Sequence, residues 1–237
     1  PTVIGALALK RGEAEAIICG LKGHYENHLT HISDIIGKRP GIRNYSALSA
    51  LIMQGKTIFF ADTHVSFDPS SEEIAGSTVM AAKVLRSFGI IPRVALLSHS
   101  NFGSRDTESS LKMREALSKI RRMSADLEID LEIDGEMQGE YALSDILCRR
   151  AMPNTSLTHE ANLLIFPNID SANIALGIAK SISDGLQIGP ILLGAALPAY
   201  VLSPSITARG IVDMVALAVA ENFSNIEMDI DITTKSR

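Results

Sequence analysis

Short apolar runs that end in polar, glycine-bearing turns alternate along this chain with segments whose apolar positions recur every three or four residues. The first pattern is that of buried strands and the second that of helices with one buried face, so the expected class is α/β. The stretch 161–214 carries the pattern most fully. An apolar run at 163–166 ends at Pro167-Asn168, and Asp170 or Ser171 can cap a helix to about Ile182. A second run, 188–193, is punctuated by Gly189-Pro190 and closed by Gly194. A third, 200–202, stops at Ser203-Pro204-Ser205, and Thr207 can cap the helix after it. Strands that end in polar turns before a helix build the ligand crevice of an open α/β sheet. That crevice is therefore expected at 168–173 and 203–209, with Asn168, Asp170, Asn173, Ser203, Ser205, Thr207 and Arg209 as candidate binding residues.

From the start of the chain, Thr2 can cap a helix to Lys10 with Gly12 as its stop, and 16–19 is a short buried strand before Gly20. Tyr25, Leu29, Ile32 and Ile36 fall at helical intervals, which predicts a helix over 23–36 that breaks at 38–41. The runs 46–53 and 57–63, separated by Gln54-Gly55-Lys56, predict a hairpin whose strands are apolar on both faces and so covered on both. A loop at 64–71 leads to a helix over 72–88, closed by Gly89, and 94–97 is another buried strand. It runs into the small-residue loop 98–104 before a helix over 107–123. At 126–133 charged and apolar residues alternate, the pattern of a half-exposed edge strand guarded by its charges. A loop from Asp134 to Glu140 and a helix through Leu147 follow, and 225–237 reads as a loose polar tail. No internal repeat or low-complexity segment is present.

At 237 residues and 46% hydrophobic, the chain can bury a sizeable core as one large domain or two small ones. Its net charge of −5 with dispersed Lys and Arg argues against nucleic acid as a partner. Cys19 and Cys148 form no CxxC pair, which fits a reducing, cytoplasmic compartment. No apolar run approaches the ~18 residues of a membrane span, so no membrane partner is expected. The chain opens at Pro1 without Met, in what reads as the inside of a helix, and a fragment of a longer polypeptide is the expectation.

Three clusters invite chemistry. His24, His28 and His31, with Asp34 a turn on, have a spacing that can share a divalent metal from one helix face. No HExxH accompanies them, and local hydrogen bonding is the preferred reading, with no metal site. Ser98, Ser100, Gly103 and Ser104 can offer N–H and hydroxyl donors to a phosphate at the next helix, or form an ordinary strand-to-helix turn. His99 beside Ser100 suggests nucleophilic catalysis, but there is no GxSxG elbow and adjacent residues at a strand end point apart. Asp134, Glu136 and Glu140 form an acidic cluster that solvated helix caps would explain.

The segments GEAEAIICG, RPGIRNYSALSALI, FFADTHV, ALLSHSNFGS, KMREAL, DGEMQGEYAL, ANLLIFPNIDSANIA, IGPILLG and LSPSITARGIVDM resemble the phosphate acetyl/butyryl transferase family, in order and over nearly the whole chain. NYSALSALI, ADTHV, LLSHSNFGS and TARGIVDM look most like the C-terminal domain of bacterial NADP-dependent malic enzymes. The resemblance implies two α/β/α subdomains of the isocitrate/isopropylmalate dehydrogenase-like fold, with an acyl-CoA site in the cleft between them. The first would comprise 1–40 plus 192–237, short at its N-terminus, and the second the inserted 41–191. It also implies a homodimer or higher homo-oligomer, and an upstream malic-enzyme domain holding malate, NADP and a divalent metal.

Acyl transfer between coenzyme A and phosphate needs a base for the thiol, cations for phosphate and donors for the developing oxyanion. The resemblance expects these from a Leu-Ser-Arg-Gly segment, a following Asp-Ile-Val and an arginine on an early helix. Ser203 matches the serine, but Pro204 stands at the first arginine, Gly210 at the aspartate and Thr30 at the second arginine. Losing one oxyanion donor alone can cost ~10²–10³ in rate. The favoured expectation is thus a catalytically silent domain that binds acetyl-CoA as an effector and assembles the oligomer. An active phosphate acetyltransferase and a purely structural dimerisation domain are the alternatives.

Overall fold

The computed structural model describes residues 1–220, so the predicted tail at 225–237 lies outside the described residues. In chain order the elements are α1 (Thr2–Lys10), β1 (Ile17–Gly20), α2 (Tyr25–Ile35), β2 (Ser46–Met53), β3 (Lys56–Ala61), α3 (Ser71–Ser87), β4 (Arg93–Leu97), α4 (Glu108–Asp126) and β5 (Glu132–Met137). Then come α5 (Gly139–Ala142), α6 (Asp145–Ala151), β6 (Leu163–Ile165), α7 (Ile169–Ser183), β7 (Leu186–Leu193) and β8 (Ala199–Leu202). A last helix, α8, begins at 208 and continues to 220.

Six strands form one sheet in the order β5-β4-β6-β3-β2-β7. Strands β3, β6, β4 and β5 run parallel, and β2 is antiparallel to both β3 and β7. Because side chains alternate along a strand, neighbours such as Phe59 and Phe60 face opposite layers. Phe59 joins Ile74, Leu85, Met113 and Ile120 under α3 and α4. Phe60 joins Leu164, Ala172 and Leu176 under α7 and stacks on Phe166 with ring centroids 5.9 Å apart. The hairpin strands are thus covered on both faces, as their sequence predicts, and the body is an α/β/α sandwich.

Among the described residues the second sheet contains β1 and β8, parallel to each other. They approach so closely at Gly20 that a Cβ there would lie 2.3 Å from the Leu202 carbonyl oxygen, and its φ of +108° also favours glycine. Packed against this pair are Ala6 and Leu9 of α1 and Ile32 of α2, in a cluster that continues into Tyr45, Leu192 and Ala195. Two crossing segments join the sheets, tied by Arg39 N–H to the Gly194 carbonyl at 2.9 Å and Ala196 N–H to the Gly37 carbonyl at 3.0 Å.

Several boundaries differ from the sequence expectation. Most of the predicted edge strand at 126–133 is instead the end of α4 and its exit. Ile129 N–H bonds the Ser124 carbonyl, Glu128 N–H bonds that of Ala125, and Glu128 turns left-handed at φ 52°. This is the two-bond closure of a helix end, in which apolar residues beyond the cap fold back on the core. Ile129 and Leu131 do so, which is why the segment mimics a half-buried strand. The edge strand exists but is β5, which shares only 132–133 with the expected strand and otherwise takes residues expected in a loop. The helix expected through Leu147 divides into α5 and α6, the second capped by Ser144. Asn168, not Asp170 or Ser171, caps α7, its side-chain oxygen accepting from Ser171 N–H at 3.0 Å. Thr2 lies inside α1 and bonds His28.

Candidate functional site

The parallel strands deliver their carboxyl ends to one edge of the large sheet, where β3, β4, β5 and β6 each run into a polar turn. After β3 the turn is organised by Asp62. Its Oδ1 accepts from the N–H groups of Ala47, His64 and Val65 at 2.9–3.1 Å, and Oδ2 accepts from Ser66 N–H at 3.0 Å. Burial raises the carboxyl above its ordinary value, while the backbone donors favour the charged form and pull it back. His64 is pushed down to about 4 by burial and is neutral. Its ring lies 5.3 Å from that of Tyr25, so the turn touches α2 of the small sheet. Asn173 Nδ2 donates to the Thr63 carbonyl at 2.9 Å, and Ile169 N–H to that of Phe67 at 3.1 Å. Asn173, and Asn168 through its neighbour Ile169, are thereby joined to the β3 turn, whereas Asp170 sits exposed in the first turn of α7.

After β4, Ser98, Ser100, Gly103 and Ser104 do come together, but around a buried carboxylate. Glu136 Oε1 accepts from Ser100 Oγ at 2.7 Å and from Gly103 N–H at 2.9 Å. Ser100 Oγ in turn accepts from Arg105 N–H, Ser98 Oγ from Ser100 N–H, and Ser104 Oγ from Asn101 N–H. Two of the donors expected to meet a phosphate, the Ser100 hydroxyl and the Gly103 N–H, thus bond an internal anion. The acidic cluster is not a set of solvated caps either: Asp134 and Glu136 are buried within β5, and only Glu140 is exposed. They can be buried because α4 sets arginines against them, Arg121 at 3.4 Å from Asp134 and Arg114 at 3.9 Å from Glu136. Thr155 Oγ1 and Ser156 N–H complete the Asp134 shell at 2.7 and 3.0 Å.

After β8, Ser203 and Ser205 pair their hydroxyls at 3.1 Å near the surface. Thr207 caps α8 as predicted, accepting from Gly210 N–H at 3.1 Å. Arg209, whose side chain is 74% exposed, pairs with Asp213 one turn on at 3.2 Å. The hydrogen bonds of this loop run within it and into α8, and do not join it to 168–173 among the described residues. Gly210 is buried, and a Cβ there would lie 2.8 Å from Ile206 Cγ1. Thr30 spends its hydroxyl on the Glu26 carbonyl at 2.9 Å.

In the histidine helix, His28 is held by hydrogen bonds. His28 Nε2 bonds the Lys22 carbonyl at 2.8 Å and Nδ1 bonds Thr2 Oγ1 at 2.7 Å, so both ring nitrogens are engaged. Among the described residues no group of three metal-ligating side chains converges. Nor is any described helix long and apolar enough to cross a membrane.

Sequence reasoning missed the groove of 290 Å3 where the 37–45 connection passes the β3 turn, lined by Lys38, Asn44, Tyr45, Val65, Ser66, Phe67, Asp68, Pro69 and Glu73. Its signal in the sequence is Phe67, a lone aromatic in a polar turn opposite the basic Lys38-Arg39-Pro40-Gly41-Ile42-Arg43 stretch.

A sequence profile described as phosphate acetyl/butaryl transferase matches residues 1–219. The chain is 60% identical over 221 residues to an NAD-dependent malic enzyme of Rhizobium meliloti (strain 1021), covering 93% of this chain and 28% of that protein. It is 47% identical over 222 residues to an NADP-dependent malic enzyme of Escherichia coli (strain K12), covering 93% and 29%. A crystal structure of a phosphotransacetylase from Streptococcus pyogenes superposes with a TM-score of 0.86 at 28% identity, covering 94% of this chain and 67% of that one. The chain thus spans less than a third of the malic enzymes it matches.

Proposed function

The chain belongs to the phosphate acetyl/butaryl transferase family, and from that premise we propose that it is the regulatory domain of a malic enzyme, binding acetyl-CoA without turning it over and holding the oligomer together. One observation carries the reading. The three places where the family resemblance expects two arginines and an aspartate hold Pro204, Thr30 and Gly210, none of which carries a charge. Thr30 is bonded into its own helix. Gly210 has no room for a side chain unless Ile206 moves. Arg209, the nearest cation to Ser203 in the loop, spends its Nε on Asp213 and is held out toward solvent, away from the position of Pro204 in sequence.

What remains suits binding better than chemistry. The hydroxyls of Ser203 and Ser205 and the guanidinium of Arg209 lie on one surface loop and can donate to phosphoryl oxygens. The relatives' names attach malic-enzyme activity to chains of which this one covers less than a third, so malate oxidation and its nicotinamide cofactor, NAD or NADP, with the divalent metal, belong on this reading to an upstream domain. Acetyl-CoA bound here changes that activity only if its affinity differs between two states of the whole polypeptide. Oligomerisation is supported by Ile174, Ile178 and Ile182, 61%, 57% and 81% exposed at successive turns of α7.

The test is a coupled assay for acetyl phosphate from acetyl-CoA and phosphate, run beside the response of the complete enzyme's malate oxidation to acetyl-CoA. We expect no acetyl phosphate and a changed malate rate, blunted in Arg209→Ala. Acetyl phosphate formed at an ordinary enzyme rate would establish a live transferase instead. An unaltered malate rate would leave only a structural domain.

A further inference from the structure

The groove beside the 37–45 connection has a distinct chemistry. At 290 Å3 it falls just below the ~300–1,000 Å3 of sites for whole drug-sized ligands, so it can enclose one end of a coenzyme but not all of it. Phe67, on its rim, is 66% exposed, a flat apolar face that a planar ligand would remove from water. Lys38 is held in place by donation to the Arg43 carbonyl and lies 5.3 Å from the Tyr45 ring centroid. An ammonium has three donors, so others remain for a ligand anion. Asn44 donates its Nδ2 to Glu73 Oε1 at 2.9 Å, which fixes the amide and leaves its carbonyl oxygen as an oriented acceptor. The carboxylates of the groove are already matched, Asp68 by Lys112 at 2.6 Å and Glu73 by the cap of α3.

A planar apolar face, an acceptor for an exocyclic amine and an ammonium together fit an adenine nucleotide. We propose that this groove seats the adenosine bisphosphate end of the acyl-CoA, with Phe67 as the stacking platform for adenine and Lys38 pairing a phosphate. The pantetheine arm, a chain of amides and methylenes, has no use for either group. The proposal rests on the acyl-CoA reading above for the identity of the ligand, but the groove's preference for an adenine nucleotide can be measured without it.

The experiment titrates the chain with acetyl-CoA, adenosine 3′,5′-bisphosphate and acetyl-pantetheine, in the native protein, Phe67→Ala and Lys38→Gln. Phe67 is surface-exposed, so its removal leaves the fold intact, and circular dichroism checks this. The expected result is a loss of tenfold or more for acetyl-CoA and for the bisphosphate in Phe67→Ala, with acetyl-pantetheine unaffected. Lys38→Gln is expected to weaken the same two ligands and to reduce the salt dependence of their binding. Native affinity of Phe67→Ala for acetyl-CoA would overturn the groove assignment and leave the acyl-CoA reading standing. Bisphosphate binding that needs Phe67, in a chain that does not bind acetyl-CoA, would uphold the groove and overturn that reading. A native chain that binds neither acetyl-CoA nor the bisphosphate would overturn both.

Discussion

Glu136 shows best how a residue's role depends on what folds around it. In the sequence it stands in an acidic, glycine-rich stretch that reads as a solvated loop. In the structure it is fully buried, and the 98–104 loop is wound on it through Ser100 Oγ and Gly103 N–H, with Arg114 behind. Removing Glu136 leaves the buried Ser100 hydroxyl without its carboxylate acceptor, which costs about 1–3 kcal/mol, while Arg114 keeps Asp106 as a partner. Glu136→Ala is therefore expected to lose that much in urea unfolding, and Glu136→Gln, which keeps one acceptor, distinctly less. A loss below about 1 kcal/mol for the alanine variant would contradict this account. His64 makes a complementary case through pH. Its value falls from the ordinary 6.5 to about 4 on burial, so the unfolded chain binds a proton that the native state refuses in between. Stability from this group is complete above the unfolded value and is lost as pH falls from 6.5 toward 4, by about 3 kcal/mol at most. Asp62 acts oppositely, since its raised carboxyl protonates first in the native state and offsets part of the loss on acidification. Comparing His64→Gln with the native protein isolates the histidine, and the substituted protein is expected to lose less stability over that window. Identical pH profiles would count against a buried neutral imidazole.

At the scale of elements, what the sequence shows clearly is what local patterning controls. Ser70 and Thr107 begin α3 and α4 with reciprocal caps, and Thr207 begins α8, so the helix starts of 72–88, 107–123 and the last segment are readable within a residue or two. What misleads is apolar alternation whose purpose is tertiary. Ile129 and Leu131 are apolar because the exit of α4 folds onto the core, and Asp134 and Glu136 are acidic because arginines of α4 wait for them. Neither fact is local, so neither can be found by period alone. The outer face of α7 is the converse, an apolar stripe with no partner among the described residues. If Ile174, Ile178 and Ile182 are the contact between copies, Ile178→Asp places a charge in that contact and is expected to shift the protein to a monomer of 25.5 kDa by light scattering. An unchanged mass would place the contact elsewhere.

Over the whole molecule, the α/β class and the strand-end turns were legible in the order of apolar runs and breaks, but their spatial grouping was not. Residues 168–173 and 203–209 are equivalent turns by sequence, yet one follows a strand of the large sheet and the other a strand of the small one. The groove between the 37–45 connection and the β3 turn draws on residues that no motif unites, because it exists only where the chain crosses between sheets. The same separation bears on function. A transferase must bring a base, two cations and an oxyanion site to one point, whereas an effector site needs only to hold its ligand differently in two states. Titration calorimetry of acetyl-CoA into this chain in phosphate buffer separates the two directly. The account predicts a saturating isotherm whose heat returns to baseline after each injection, with acetyl-CoA recovered intact. Sustained heat accompanied by free coenzyme A and acetyl phosphate, or no heat of binding at millimolar acetyl-CoA at two temperatures, would contradict it.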